Sequence, residues 1–134
     1  MTTKMDLVGE LRGHEALKAY HQEIATIYAI ARGRIEIANA IRLNKERLEE
    51  IRACMIASGT IEGKNETERN AKLVVALSED ASYIRRQADL VEYERQAAMY
   101  DADLGKARDT ASALKLEIRL GIATLSFLAG EELS

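Results

Sequence analysis

Residues 81–128 read ASYIRRQADLVEYERQAAMYDADLGKARDTASALKLEIRLGIATLSFL. Tyr83, Leu90, Ala97, Leu104, Ala111, Ile118 and Leu125 recur every seven residues along this stretch without a miss. Tyr93, Tyr100, Ala107, Leu114, Gly121 and Leu128 form a companion series. A sustained apolar repeat of this period marks a helix that packs along another helix. One segment competes, because 114–122 alternates apolar and polar residues as a strand does. The repeat runs straight through it and no turn signal precedes it. The spacing therefore predicts one helix over about 81–128.

Upstream, Ser78-Glu79-Asp80 breaks the pattern and offers Ser78 or Asp80 as a cap. A short helix over about 66–77 is expected before it, burying Leu73, Val74 and Leu77. Asn65 is placed to cap that helix, with Glu68 three residues on completing a capping box. Before it, Gly59 is well placed as a left-handed C-cap. A second long helix is expected over about 15–57. Tyr20, Ile27, Arg34, Ile41, Leu48 and Met55 form one series there, and Ile30, Ile37, Asn44 and Ile51 the other. Arg34 and Asn44 are polar breaks in that seam, a device that sets register and partner choice. Leu17, Ile24, Ala31 and Ala38 widen the stripe, as contact with more than one helix requires. Residues 1–13, punctuated by Gly9 and Gly13, read as a loose arm or a short first turn.

The chain has 134 residues and no proline, so nothing forbids helix continuation. At ~1.5 Å per residue the two long helices would span ~65 and ~70 Å, and helices matched in length pack antiparallel across a short connection. The expected fold is all-α. It is a long antiparallel helical hairpin, coiled-coil-like, with a short helix at the turn. Residues 14–134 form its single domain. The oligomer seam is expected at Ile27, Arg34, Ile41, Asn44, Leu48, Leu90, Tyr93, Tyr100, Leu104, Leu114, Ile118 and Leu125. Residues 116–128 are apolar on several faces, and self-association into an oligomeric bundle would cover them.

Composition narrows function. Tryptophan is absent and Phe127 is the one phenylalanine, which is poor material for a ligand pocket. The net charge of −3, from 19 basic and 22 acidic residues, leaves no overall basic footprint for nucleic acid. Cys54 is the one cysteine, so no intrachain disulfide or thiolate zinc cluster is expected. The uncharged stretch 121–130 is far short of the ~20 residues a membrane span needs. The first residues lack the apolar core of a signal peptide, so a cytoplasmic protein is expected.

The motifs that could carry chemistry have structural explanations. His14 and His21 lie seven apart without the Glu-x-x-His or His-Glu-x-x-His patterns of helical metal sites, so no metal is expected. Cys54 sits late in a helix with no turn to present it as a nucleophile. Gly59-Thr60-Ile61-Glu62-Gly63-Lys64 evokes a phosphate loop, but three residues separate the glycines and Asn65 follows the lysine, where a Walker loop needs four and a Ser or Thr. A helix N-terminus beside a lysine can still hold an anion. Asn65-Glu66-Thr67 matches a glycosylation sequon, which without a secretory signal reads as chance. Arg32, Arg42, Lys45 and Arg47 alternate with Glu36, Glu46, Glu49 and Glu50, the pattern of an ion-paired solvated face.

The segment Ser58 to Arg69, followed by Lys72-Leu73 and a second long helix with Tyr83 near its start, resembles small bacteriophage and prophage proteins. These carry a Gly-Lys-Asn-x-x-Glu-Arg core between helical arms, and are often encoded among recombination or early accessory functions. The resemblance covers roughly residues 58–83. It implies a phage context and puts Gly63, Lys64, Asn65, Glu68 and Arg69, with Gly59 beside them, forward as binding residues.

No nucleophile–base pair or cofactor loop is present, so no enzyme and no cofactor is expected. The function expected first is a non-enzymatic, homo-oligomeric interaction protein that binds a host or phage protein, counter-defence included. The alternatives are a nucleic-acid-binding accessory of phage recombination and an oligomer that sequesters nucleotides through Lys64 and Arg69.

Overall fold

A computed structural model describes residues 4–59 and 61–133, with side chains at 13–59 and 61–130. The chain is all-helical, with three helices in the order α1 (Lys4–Ala57), α2 (Glu66–Glu79) and α3 (Ala81–Leu133). No strand occurs among the described residues, and 114–122 lies inside α3. The 54 residues of α1 and 53 of α3 make each ~80 Å long.

The helices outrun the boundaries expected of them. α1 begins at Lys4, so residues 4–13 are helical where the glycines indicate a loose arm; residues 1–3 lie outside the described ones. A helical glycine costs about 1 kcal/mol against alanine, which does not stop a helix with so many turns to sustain it. α3 continues past Leu128 to Leu133 for the same reason, since no glycine C-cap or proline ends it sooner.

Contacts group the chain into two compact units. One comprises α1 up to Arg32 and α3 from Tyr100 onward; the other comprises Gly33–Met99. The sequence places a single hairpin domain over 14–134, and both units lie on the same two long helices.

On the two long helices the heptad positions are where burial occurs. In the first unit Ala16, Ala107 and Ala111 are buried, as is Gly121, and Ile27, Leu104, Leu114 and Ile118 are half-buried. Small residues at such positions let helix backbones approach closely. In the second unit Leu48, Leu73, Leu77 and Ala97 are buried, with Ile41, Leu90 and Tyr93 half-buried. Leu73 and Leu77 lie one turn apart on one face of α2. Val74, expected inside with them, is rotated ~100° away and is 66 % exposed. No large side chain is fully buried among the described residues.

Candidate functional site

The connection from α1 to α2 holds the residues the sequence puts forward. α1 ends with Ser58 N–H donating to the Cys54 carbonyl at 2.9 Å and Gly59 N–H to that of Ile56 at 3.4 Å. Gly59 has φ +74°, the left-handed conformation that only glycine adopts cheaply. Thr60 lies outside the described residues. The chain then turns inward, with Ile61 and Gly63 half-buried, and Lys64, Asn65, Glu68 and Arg69 exposed.

Asn65 is the N-cap of α2, extended at φ −144° and ψ 171°. Its Oδ1 accepts from Glu68 N–H at 2.8 Å. Glu68 reaches back as expected, but its Oε2 accepts from Lys64 N–H at 3.2 Å, one residue before the cap. Its Oε1 lies 3.6 Å from Lys72 Nζ. Gly63 has a separate reason to be glycine. A Cβ there would stand 3.0 Å from Arg69 N and 2.9 Å from Arg69 Cγ. The connection is thus pressed against the first turn of α2, a contact the sequence does not reveal.

This geometry bears on anion binding. A helix N-terminus attracts anions through unsatisfied N–H groups and its dipole. Here Asn65 Oδ1 takes one of those N–H groups, and the Glu68 carboxylate supplies negative charge at the same turn. A phosphate would compete with both.

The junction of α2 and α3 is one residue, Asp80. Its N–H donates to the Leu77 carbonyl at 3.2 Å, closing α2. Its Oδ1 accepts from Tyr83 N–H at 2.8 Å, opening α3. Of the two capping candidates Asp80 serves. Ser78 turns its hydroxyl back to the Val75 carbonyl at 2.6 Å.

The polar break at Asn44 lies in the second unit, 5 % exposed. Its Nδ2 donates to the Arg86 carbonyl at 2.8 Å, tying α1 to α3. Its Oδ1 is buried without a partner among the described residues. Arg34, the other break, is half-buried, and so is Tyr100. Leu125 is the least covered of the seam residues at 37 % exposure.

The charged face of α1 is ion-paired along the helix. Arg42 Nη1 meets Glu46 at 3.0 Å and Arg47 Nη1 meets Glu50 at 3.1 Å. A groove of about 760 Å³ runs beside it, floored by Ala38, Ile41 and Ala53 and rimmed by these charges. Every residue lining it belongs to α1, so it is a helix surface open along its length. On α3, Arg95 grips Glu92 at 2.6 Å. Hydrogen bonds from Arg95, then Gln96, pull the Glu92 carboxyl down to about 2.

His14, His21 and Cys54 are exposed. Among the described residues no three of His, Cys, Asp and Glu gather closely enough to hold a metal ion. Among them, too, no helix is long and apolar enough to cross a membrane. No protein-family model, curated protein or solved structure matches the chain.

Proposed function

We propose that this chain is a non-enzymatic interaction protein. Its long helices form an antiparallel hairpin, that hairpin self-associates, and the assembly binds another protein, in keeping with the phage accessory role the Gly63–Arg69 core implies. The Asn44–Arg86 bond, which joins α1 and α3 far apart in sequence, supports the hairpin.

One observation carries the self-association. Large apolar side chains stand in the open on all three helices, among them Tyr28 at 73 %, Ile35 at 63 %, Val74 at 66 % and Phe127 at 66 %. The buried set is short and rich in alanine. Burying a large aliphatic or aromatic side chain is worth about 1.5–3 kcal/mol. A lone chain forgoes most of that along each long helix. Exposed apolar surface on this scale marks an interaction surface.

The test is solution mass by light scattering on a sizing column, with absorbance at 260 and 280 nm on the same peak. A discrete dimer or larger assembly free of nucleic acid is expected. A fully helical monomer at micromolar concentration would overturn the proposal, and a peak carrying nucleic acid would replace it with the nucleic-acid reading.

A further inference from the structure

The end of α3 carries two apolar faces. Leu114, Ile118, Gly121 and Leu128 are buried or half-buried and belong to the seam. On the opposite side Leu116, Leu120, Ala123 and Phe127 follow at i, i+4, i+7 and i+11, and the three large ones are 58 %, 61 % and 66 % exposed. Ala113 and Gly130 continue the stripe at either end, both exposed. Alternating steps of three and four make a stripe that another helix fills by knobs-into-holes packing. Glu117 borders it on one side and Arg119 on the other, a polar rim around an apolar strip.

We propose that this outer stripe is a second seam, filled by the same stripe of a second copy running antiparallel across a twofold axis. The inference rests on the self-association proposed above and names its surface. Area favours a copy of the chain as the occupant. The chain exposes 10152 Å², where a compact chain of 14.9 kDa exposes roughly 7,000 Å². The excess, roughly 3,000 Å², exceeds the ~800 Å² that each partner contributes to a standard stable interface. A twofold contact uses one patch twice, so it must be complementary to itself.

The stripe meets that condition in one register. Leu120 packs on the partner's Ala123, Phe127 on the partner's Leu116, and Ala113 on the partner's Gly130. The Leu120–Ala123 layers then pair large with small and the Phe127–Leu116 layers large with large, and two small residues meet only in the outer Ala113–Gly130 layers. Glu117 lies opposite the partner's Thr124, and Arg119 opposite the partner's Ser126, so no like charges meet. The helix dipoles oppose one another, which antiparallel packing favours.

The experiment compares the full chain with Leu120→Glu and Val91→Glu by light scattering and circular dichroism. Val91 is a control of equal exposure in the other unit, 67 % against 61 %. The wild type and Val91→Glu are expected to share one oligomer mass, with Leu120→Glu falling to half of it at unchanged helicity. A wild-type oligomer that Leu120→Glu leaves intact overturns the stripe alone. A wild-type monomer overturns self-association as well, and leaves the stripe to a different protein. Equal loss in both variants overturns the assignment to this face. Should Leu120→Glu lose helicity, crosslinking decides: Arg119→Cys and Ser126→Cys chains, each with Cys54→Ser, are mixed and treated with a short bis-maleimide. A mixed 119–126 dimer is expected, and its absence overturns the register and the seam together.

Discussion

At the residue scale the decisive positions are Asn44 and Gly63. Asn44 gives one hydrogen bond across the seam and leaves Oδ1 unsatisfied in a buried place. A net hydrogen bond is worth about 1 kcal/mol, and an orphaned buried acceptor costs about 1–3 kcal/mol. The Arg86 carbonyl keeps its own helical partner when Asn44 goes. Asn44→Leu is therefore expected to leave stability unchanged or raise it by about 1 kcal/mol in urea denaturation, while loosening register. Asn44→Asp sets a carboxylate against the Arg86 carbonyl and is expected to cost about 2 kcal/mol or more. If the leucine variant were the less stable of the two, Asn44 would not be where the seam is closed. Gly63 poses a steric question. A methyl there meets the Arg69 backbone at 3.0 Å, which no side-chain rotation relieves. Gly63→Ala is expected to cost about 1–2 kcal/mol by overpacking. Gly105 on α3 has nothing within 4 Å of an added Cβ and an ordinary helical φ. Gly105→Ala is expected to stabilise by about 0.5–1 kcal/mol, and thermal melts of the two variants should move in opposite directions.

At the element scale the long helices draw little from strong surface ion pairs. Arg42–Glu46 and Arg47–Glu50 are more than half exposed, a setting where such pairs contribute little and salt screens them. Glu92 is the exception in geometry, held by both Arg95 and Gln96. Its carboxyl titrates near 2, below the ordinary 4.5. A depressed carboxyl stabilises the folded helix above its ordinary pKa and loses that contribution as pH falls from about 4.5 through 2. Wild type and Glu92→Gln should therefore differ in helicity at 222 nm at pH 6 and converge near pH 2, with 1 M salt shrinking the difference throughout. A gap as wide at pH 2 as at pH 6 would mean the pair is not ionic in origin. The short elements are held differently. α2 is held at its start by the side chains of Asn65 and Glu68 and closed by the backbone N–H of Asp80, which donates to the Leu77 carbonyl. Leu73 and Leu77 are its buried residues and Ala76 is half-buried, while Val74 and Val75 face outward at 66 % and 55 % exposure.

At the scale of the whole molecule, burial falls short of what the composition offers. Apolar types make up 47 % of the chain, yet the buried hydrophobic set among the described residues is mostly alanine and leucine. Folded chains gain stability mainly by removing apolar area from water. The solution mass is therefore the first quantity to measure, and melting temperature should rise with protein concentration if assembly completes the core.

The sequence by itself determined the three helices, though not the outer ends of the two long ones, because helix formation is local: proline is absent, the heptads of α3 run without a miss, and Gly59, Asn65 and Asp80 act within a few residues of their own positions. It also determined which face of each long helix turns inward, since a period of seven places one face inward whatever lies opposite. Tertiary structure decided the rest. That Asn44 bonds Arg86, that Gly63 is crowded by Arg69, and that Leu73 is covered while Val74 is not all depend on which surfaces meet, a relation between distant segments that no local pattern encodes. It also decided that the face of Leu116, Leu120 and Phe127 stays open: their spacing fits a helix, yet each of the three is more than half exposed.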